Sequence, residues 1–136
     1  MTMNDLHPQA MDLAEQAFWH QRKGENEKAR PLFLEALALE QQAAALLAAT
    51  PETEPSRSIL YRSAASLAFH AGAYETADWL IAKGLAGSPP PEIREELVAL
   101  ADDVRQCLSG LKAIRAGKEQ FVTPATVTAR DDVRAA

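Results

Sequence analysis

A single cysteine, Cys107, makes an intramolecular disulfide impossible and fits a reducing cytoplasm. In the apolar row of a helix such a thiol serves as a small hydrophobe. Aromatic residues are only 6% of the chain, and Val and Ile are scarce beside Ala and Leu. Strand formers are therefore in short supply, whereas Ala and Leu lose little side-chain entropy in a helix. No uninterrupted apolar run approaches the roughly 18 residues that a membrane span needs. The opening MTMNDLHPQAMDLAEQ has no basic start followed by an apolar stretch, so no secretory signal is expected. Basic residues are outnumbered, 14 Lys and Arg against 19 Asp and Glu, for a net charge of −5. Such a balance repels phosphate backbones and argues against nucleic acid as a partner.

The motifs of chemistry are missing as well. His7, His20 and His70 fall on separate segments, and no His-x-x-x-His or Cys-x-x-Cys spacing offers a metal site. Neither a Gly-x-Ser-x-Gly elbow nor a phosphate-cradling glycine loop occurs. No catalytic activity, metal or cofactor is expected. Glu95, Glu96, Asp102 and Asp103 read as the solvated face of a terminal helix, with Glu96 and Asp103 on one side of it.

What the chain does have is helical periodicity. Its 136 residues suit one domain with a core of its own. Met11, Leu13, Ala14, Ala17 and Phe18 recur at helical spacing and predict a helix from Ala10 to about Lys23, closed by Gly24. A long second helix is predicted from Asn26 or Glu27 to about Ala49, with Pro31 one turn in. Thr50 to Ser58 reads as a loop, with Ser56 or Ser58 as the cap of a third helix, Ile59 to Ala71. Gly72 closes that helix, a fourth runs from Glu75 to Ala86, and a fifth from Pro91 to Leu111. Residues 1–116 thus form the expected helical domain. Residues 117–136 lack helical period and predict a flexible or loosely docked tail, its scraps QFVT and TVT too short for an independent sheet. Trp19 and Trp79 are expected in the core or at helix interfaces.

The chain also repeats itself. When Gly24 is aligned with Gly72, Ala17 meets Ala65, Glu27 meets Glu75, Ala29 meets Ala77, Leu32 meets Leu80, Phe33 meets Ile81 and Leu37 meets Leu85. A small residue before the turn lets two antiparallel helices approach, the glycine permits the turn, and an alanine after it sits at the crossing.

These residues resemble the tetratricopeptide repeat family. The first unit, about Met11 to Glu40, matches at Ala17, Gly24, Ala29, Phe33, Ala36 and Leu37. The second, about Ser58 to Pro89, matches at Tyr61, Ala65, Gly72, Tyr74, Ala77, Leu85 and Pro89. Together they span almost half the chain. The units lie 48 residues apart rather than the family's 34, the first lacks the closing proline, and Gly84 stands where the family has Ala. The resemblance implies an all-α superhelix of about five antiparallel helices, the fifth capping the open end. It further implies a scaffold that binds a protein or peptide partner on the surface lined by the first helix of each unit. Met11, Ala14, Glu15, Phe18, Gln21 and Arg22 from the first unit, and Arg62, Ser66, Phe69 and His70 from the second, are the residues so placed, with Phe18, Arg22, Arg62, Ser66, Phe69 and His70 as the candidate partner-binding set. Phe18 and Phe69 could equally pack against the long helix or each other. The Lys and Asn of the family's carboxylate clamp are absent, which removes chaperone C-terminal tails as the implied ligand.

Three other readings compete. A homodimer could pair through the long second helix. A three-helix domain similar to the microtubule-interacting and transport domain would make the second unit a coincidence. A small DNA-associated regulator would use Ala68 and Gly72 as a helix-turn-helix. That motif needs an apolar residue where Asp78 stands, and its recognition helix would carry Glu75 and Asp78 against Lys83.

Overall fold

The computed structural model describes residues 1–115, so the tail expected at 117–136 lies outside the described residues. Every regular element among them is helical: α1 (Met3–Arg22), α2 (Asn26–Ala45), α3 (Ser56–His70), α4 (Tyr74–Leu85) and α5 (Pro91–Arg115), with a 3-10 turn at Pro51–Thr53 between α2 and α3. Five helices remove the three-helix alternative. None is long and apolar enough to cross a membrane.

Neighbours in sequence are neighbours in space, and α3 also meets α5. Side-chain bonds between elements fix the directions. His7 near the start of α1 bonds Glu40 near the end of α2, at 2.8 Å from Nδ1 to Oε1. Arg30 at the start of α2 donates to the Ala71 carbonyl beyond the end of α3, at 3.1 Å. Arg57 at the start of α3 donates to the Lys83 carbonyl near the end of α4, also at 3.1 Å. Each consecutive pair through α4 is therefore antiparallel.

The two glycine turns are built alike. Gly24 and Gly72 both have φ of 78°, the left-handed conformation that a Cβ penalises. After α1, Gly24 N–H donates to the Gln21 carbonyl and Glu25 N–H to that of His20. After α3, Gly72 N–H donates to Phe69 and Ala73 N–H to Ala68 in the same pattern. Both close the helix by a Schellman motif, which satisfies its last carbonyls. Past the turns, Ala29 and Ala77 occupy the same place, each donating to the carbonyl four residues back. They are 2% and 0% exposed, and Ala17 and Ala65, the matched small residues before the turns, are fully buried.

Small residues thus line the crossings, and larger ones fill the layers between. Phe33, Phe69, Leu80, Leu97 and Val104 are the bulk of the core. At position 84 the approach is tighter still. A Cβ there would meet Leu97 Cδ1 at 3.1 Å and Tyr61 Cβ at 3.2 Å, which explains glycine where an alanine was expected.

Several boundaries differ from those predicted. α1 starts at Met3 rather than Ala10, because Thr2 and Asp5 form its cap: Thr2 N–H donates to Asp5 Oδ2 at 2.9 Å. Backbone and hydroxyl bonds from Thr2 hold the Asp5 carboxyl below its ordinary value. α2 stops at Ala45, four residues short of Ala49, and the Thr53 hydroxyl bonds the Ala48 carbonyl at 2.7 Å, holding the chain out of the helix. The cap of α3 is neither Ser56 nor Ser58. Glu54 accepts from Ser58 N–H at 2.9 Å and from Ser88 N–H at 3.1 Å, tying the start of α3 to the α4–α5 connection.

Trp19 and Trp79 are not core residues. They are 50% and 55% exposed, and each carries a lysine one turn later over its ring, Lys23 at 3.9 Å and Lys83 at 5.2 Å.

Two substitutions test this architecture by chemical denaturation. Gly72→Ala meets no atom within 4 Å, so its effect is purely conformational and should lower stability by roughly 1–2 kcal/mol. Ala77→Leu should overpack the α3–α4 crossing and cost roughly 1–3 kcal/mol. Unchanged stability in the leucine variant would mean that the crossing is misplaced.

Candidate functional site

Helices α1, α3 and α5 share one side of the molecule, and a groove of about 760 Å³ runs between them. Its three walls differ in chemistry. The α1 wall is apolar, made of Met11, Ala14 and Phe18. From α3 come Arg62, Ser63, Ser66 and Leu67, a mixed floor. The α5 wall brings Ala99 and Leu100 with two carboxylates, Glu96 and Asp103. These two are seven residues apart, so they fall on one helix face about two turns, or roughly 10 Å, from each other.

Arg62 and Glu96 form an ion pair that links α3 to α5. Both are partly exposed, 31% and 53%, so the pair contributes at most about 1 kcal/mol to stability. Its larger effect is to fix the Arg62 guanidinium, which is the groove's cation. Asp103 corrects the expectation of a solvated acidic face: it is 1% exposed and sits at the base of the α5 wall.

At the far end the groove rests on a ring cluster. Phe18 meets Phe33 edge-on at 4.9 Å and His70 at 4.9 Å, while His70 lies nearly parallel to Phe33 at 5.6 Å. Phe69 packs against the other side of His70 at 5.5 Å. One histidine thereby joins α1, α2 and α3. Edge-to-face ring pairs of this kind add about 0.5–1.5 kcal/mol beyond their buried area.

The six residues proposed from sequence therefore separate. Phe18, Arg62 and Ser66 line the groove. His70 stands beneath Phe18, half-buried in the ring cluster. Phe69 is 2% exposed and belongs to the core, where its ring meets His70 and Tyr74. Arg22 is exposed elsewhere, on a shallow surface of α1 with Asp12, Glu15, Trp19 and His20. Sequence reasoning missed the α5 contribution. The usable signal was the spacing of Glu96 and Asp103 itself, on the same helix as the stripe Leu97, Leu100 and Val104.

A second buried acid, Glu40, is fully enclosed and held by both oxygens to His7 Nδ1, at 2.8 and 3.0 Å. It ties α1 to α2 and is not among the groove-lining residues. Tyr74, the first residue of α4, has its hydroxyl pKa raised, chiefly by burial and further by Cys107. Among the described residues no group of three or more His, Cys, Asp or Glu side chains comes together as a metal site.

Compared with known proteins, the chain matches no family model, no curated sequence and no solved structure.

The turn beside Trp19 carries the most displaced carboxyl. Glu25 bonds His20 Nδ1 at 3.1 Å and Lys28 Nζ at 3.1 Å, with Lys23 at 3.4 Å. These bonds, His20 first, lower its pKa from 4.5 to about 2. A depressed carboxyl favours the folded state above its unfolded pKa, and the contribution fades as pH falls from about 4.5 towards about 2. In an NMR titration, His20→Ala should move the Glu25 midpoint back towards 4.5. An unmoved midpoint would show that the lysines alone account for the shift.

Proposed function

We propose that this chain is a non-catalytic interaction module of the tetratricopeptide-repeat type, which takes a peptide or protein segment into the α1–α3–α5 groove. The observation that carries the reading is the groove's position. It runs along the first helix of each glycine-turn hairpin, the surface that the family resemblance assigns to partners, and α5 supplies a third wall. Support for the repeat itself comes from the matched Schellman turns at Gly24 and Gly72 and the matched buried alanines at 29 and 77. Large apolar side chains with a fixed guanidinium are the composition of recognition surfaces, where a few such anchors dominate affinity. The reading places the protein in the cytoplasm, where the buried Cys107 thiol stays reduced.

The homodimer reading receives less support. Its interface would lie on α2, yet the one large apolar residue exposed at that helix is its C-cap, Leu46. A stable two-fold interface needs a broader apolar patch.

Affinity capture with the full chain, read by mass spectrometry, tests the proposal. The wild type should retain a specific partner that both Arg62→Glu and Ser66→Trp lose, since the first reverses the fixed charge and the second fills the floor. Partners retained equally by both variants would place binding elsewhere. Sedimentation that depends on protein concentration would favour the dimer instead.

A further inference from the structure

We propose that the small cavity beside His7 binds a compact apolar molecule carrying one hydroxyl group, of which phenol is the simplest example. The cavity, about 210 Å³, opens between the first two turns of α1 and of α3. It shares no lining residue with the groove, so the inference goes beyond the peptide reading and does not depend on it.

The His7–Glu40 pair carries the argument. Glu40 is fully enclosed, and among the described residues its one hydrogen-bond partner is His7. Nδ1 lies 2.8 Å from one carboxylate oxygen and 3.0 Å from the other, the geometry of a single N–H shared by both. Holding α1 to α2 does not by itself require such a pair, since apolar side chains of similar size in place of a buried pair are often neutral or stabilising. What the pair does supply is a fixed imidazole. A carboxylate behind one ring nitrogen sets the tautomer and the orientation of the ring, which is how proteins present the other nitrogen to a ligand. In this chain the other nitrogen is available. His7 is 38% exposed, lines the cavity, and makes no hydrogen bond through Nε2 among the described residues. With Nδ1 turned inward to Glu40, the opposite edge of the ring is the one left to the cavity.

The remaining walls select the body of the ligand. Met3, Pro8, Ile59 and Leu60 are apolar, and Asn4 and Ser56 complete the lining. A cavity of about 150 Å³ is enough for a benzene ring, whereas drug-sized ligands need roughly 300 Å³ or more. This one suits a single ring or a short branched chain. The head group has to satisfy Nε2. A hydroxyl both donates and accepts, so it matches that nitrogen with or without a proton. A carboxylate only accepts, and it would bring a second negative charge towards Glu40 where solvent screens poorly. An ammonium only donates, and apolar walls would strip its hydration.

NMR titration of the full chain with phenol tests the site, with toluene and benzoate as controls. Phenol should saturate and move both the Ile59 methyl signals and His7 Nε2, and benzoate should move neither. Ile59→Trp fills the cavity and leaves the His7–Glu40 pair in place, so the phenol response at His7 should vanish. A second variant, His7→Leu combined with Glu40→Leu, replaces both partners together and strands no buried charge. In it the affinity for phenol relative to toluene should fall roughly tenfold from the wild-type ratio, about the worth of one hydrogen bond. No saturable change with phenol, an equal response to benzoate, or a phenol response that survives Ile59→Trp would each overturn the proposal. A phenol-to-toluene ratio that is the same in the double variant would remove His7 as the recognising group and overturn it as well. All of these results leave the groove reading where it stands, since no groove-lining residue is altered.

Discussion

Helices can approach closely only where both present little side chain at the crossing, and this constraint organises the molecule. Ala17, Ala29, Ala65 and Ala77 are all buried within the two hairpins, and at Gly84 α4 comes close to Leu97 and Tyr61. Once the crossings are set, the larger residues have defined places between layers. Phe33 and Ile81 hold equivalent positions in the two hairpins, at 1% and 2% exposure. The groove follows from the same geometry. Stacking the hairpins puts their first helices side by side, and α5, lying against α3 and α4, closes the third wall.

Polar groups inside this scaffold have structural assignments of their own. Glu40 is enclosed but bonded by His7, and Arg57, 5% exposed, caps the end of α4 through the Lys83 carbonyl. A cation at a helix C-terminus meets the negative end of the dipole, so the buried guanidinium is partly compensated there. Glu54 joins α3 to the connection before α5. These bonds set which helix ends meet, a matter that apolar contacts alone leave loosely specified.

Much of the fold was legible in the sequence because period and punctuation agree. The apolar stripes located all five helices, and both left-handed glycines were readable as helix stops. The misreadings have physical causes. Thr2 and Asp5 cap α1, but the polar stretch around Pro8 hides that signal behind a residue that usually marks a helix start. Glu54 takes the capping role because α3 starts at Ser56, which leaves both serines inside its first turn and Ser58 N–H pointing at the preceding Glu54 carboxylate. Trp19 and Trp79 were assigned to the interior on hydrophobicity, whereas a lysine one turn on covers each ring from outside. Half the groove was visible: Phe18, Arg62 and Ser66 could be placed by repeat position. The acidic wall could not, since α5 stands outside the repeat and its carboxylates look like ordinary solvated charge until the packing against α3 is known.

The lysine-covered tryptophans have an optical consequence. Both indoles are about half exposed in the native chain, so loss of the core should change their emission little. The rings report instead on their cationic covers. Acetylation of Lys23 and Lys83 would alter quantum yield in a chain whose helices are intact, so the two chromophores act as gauges of the exterior.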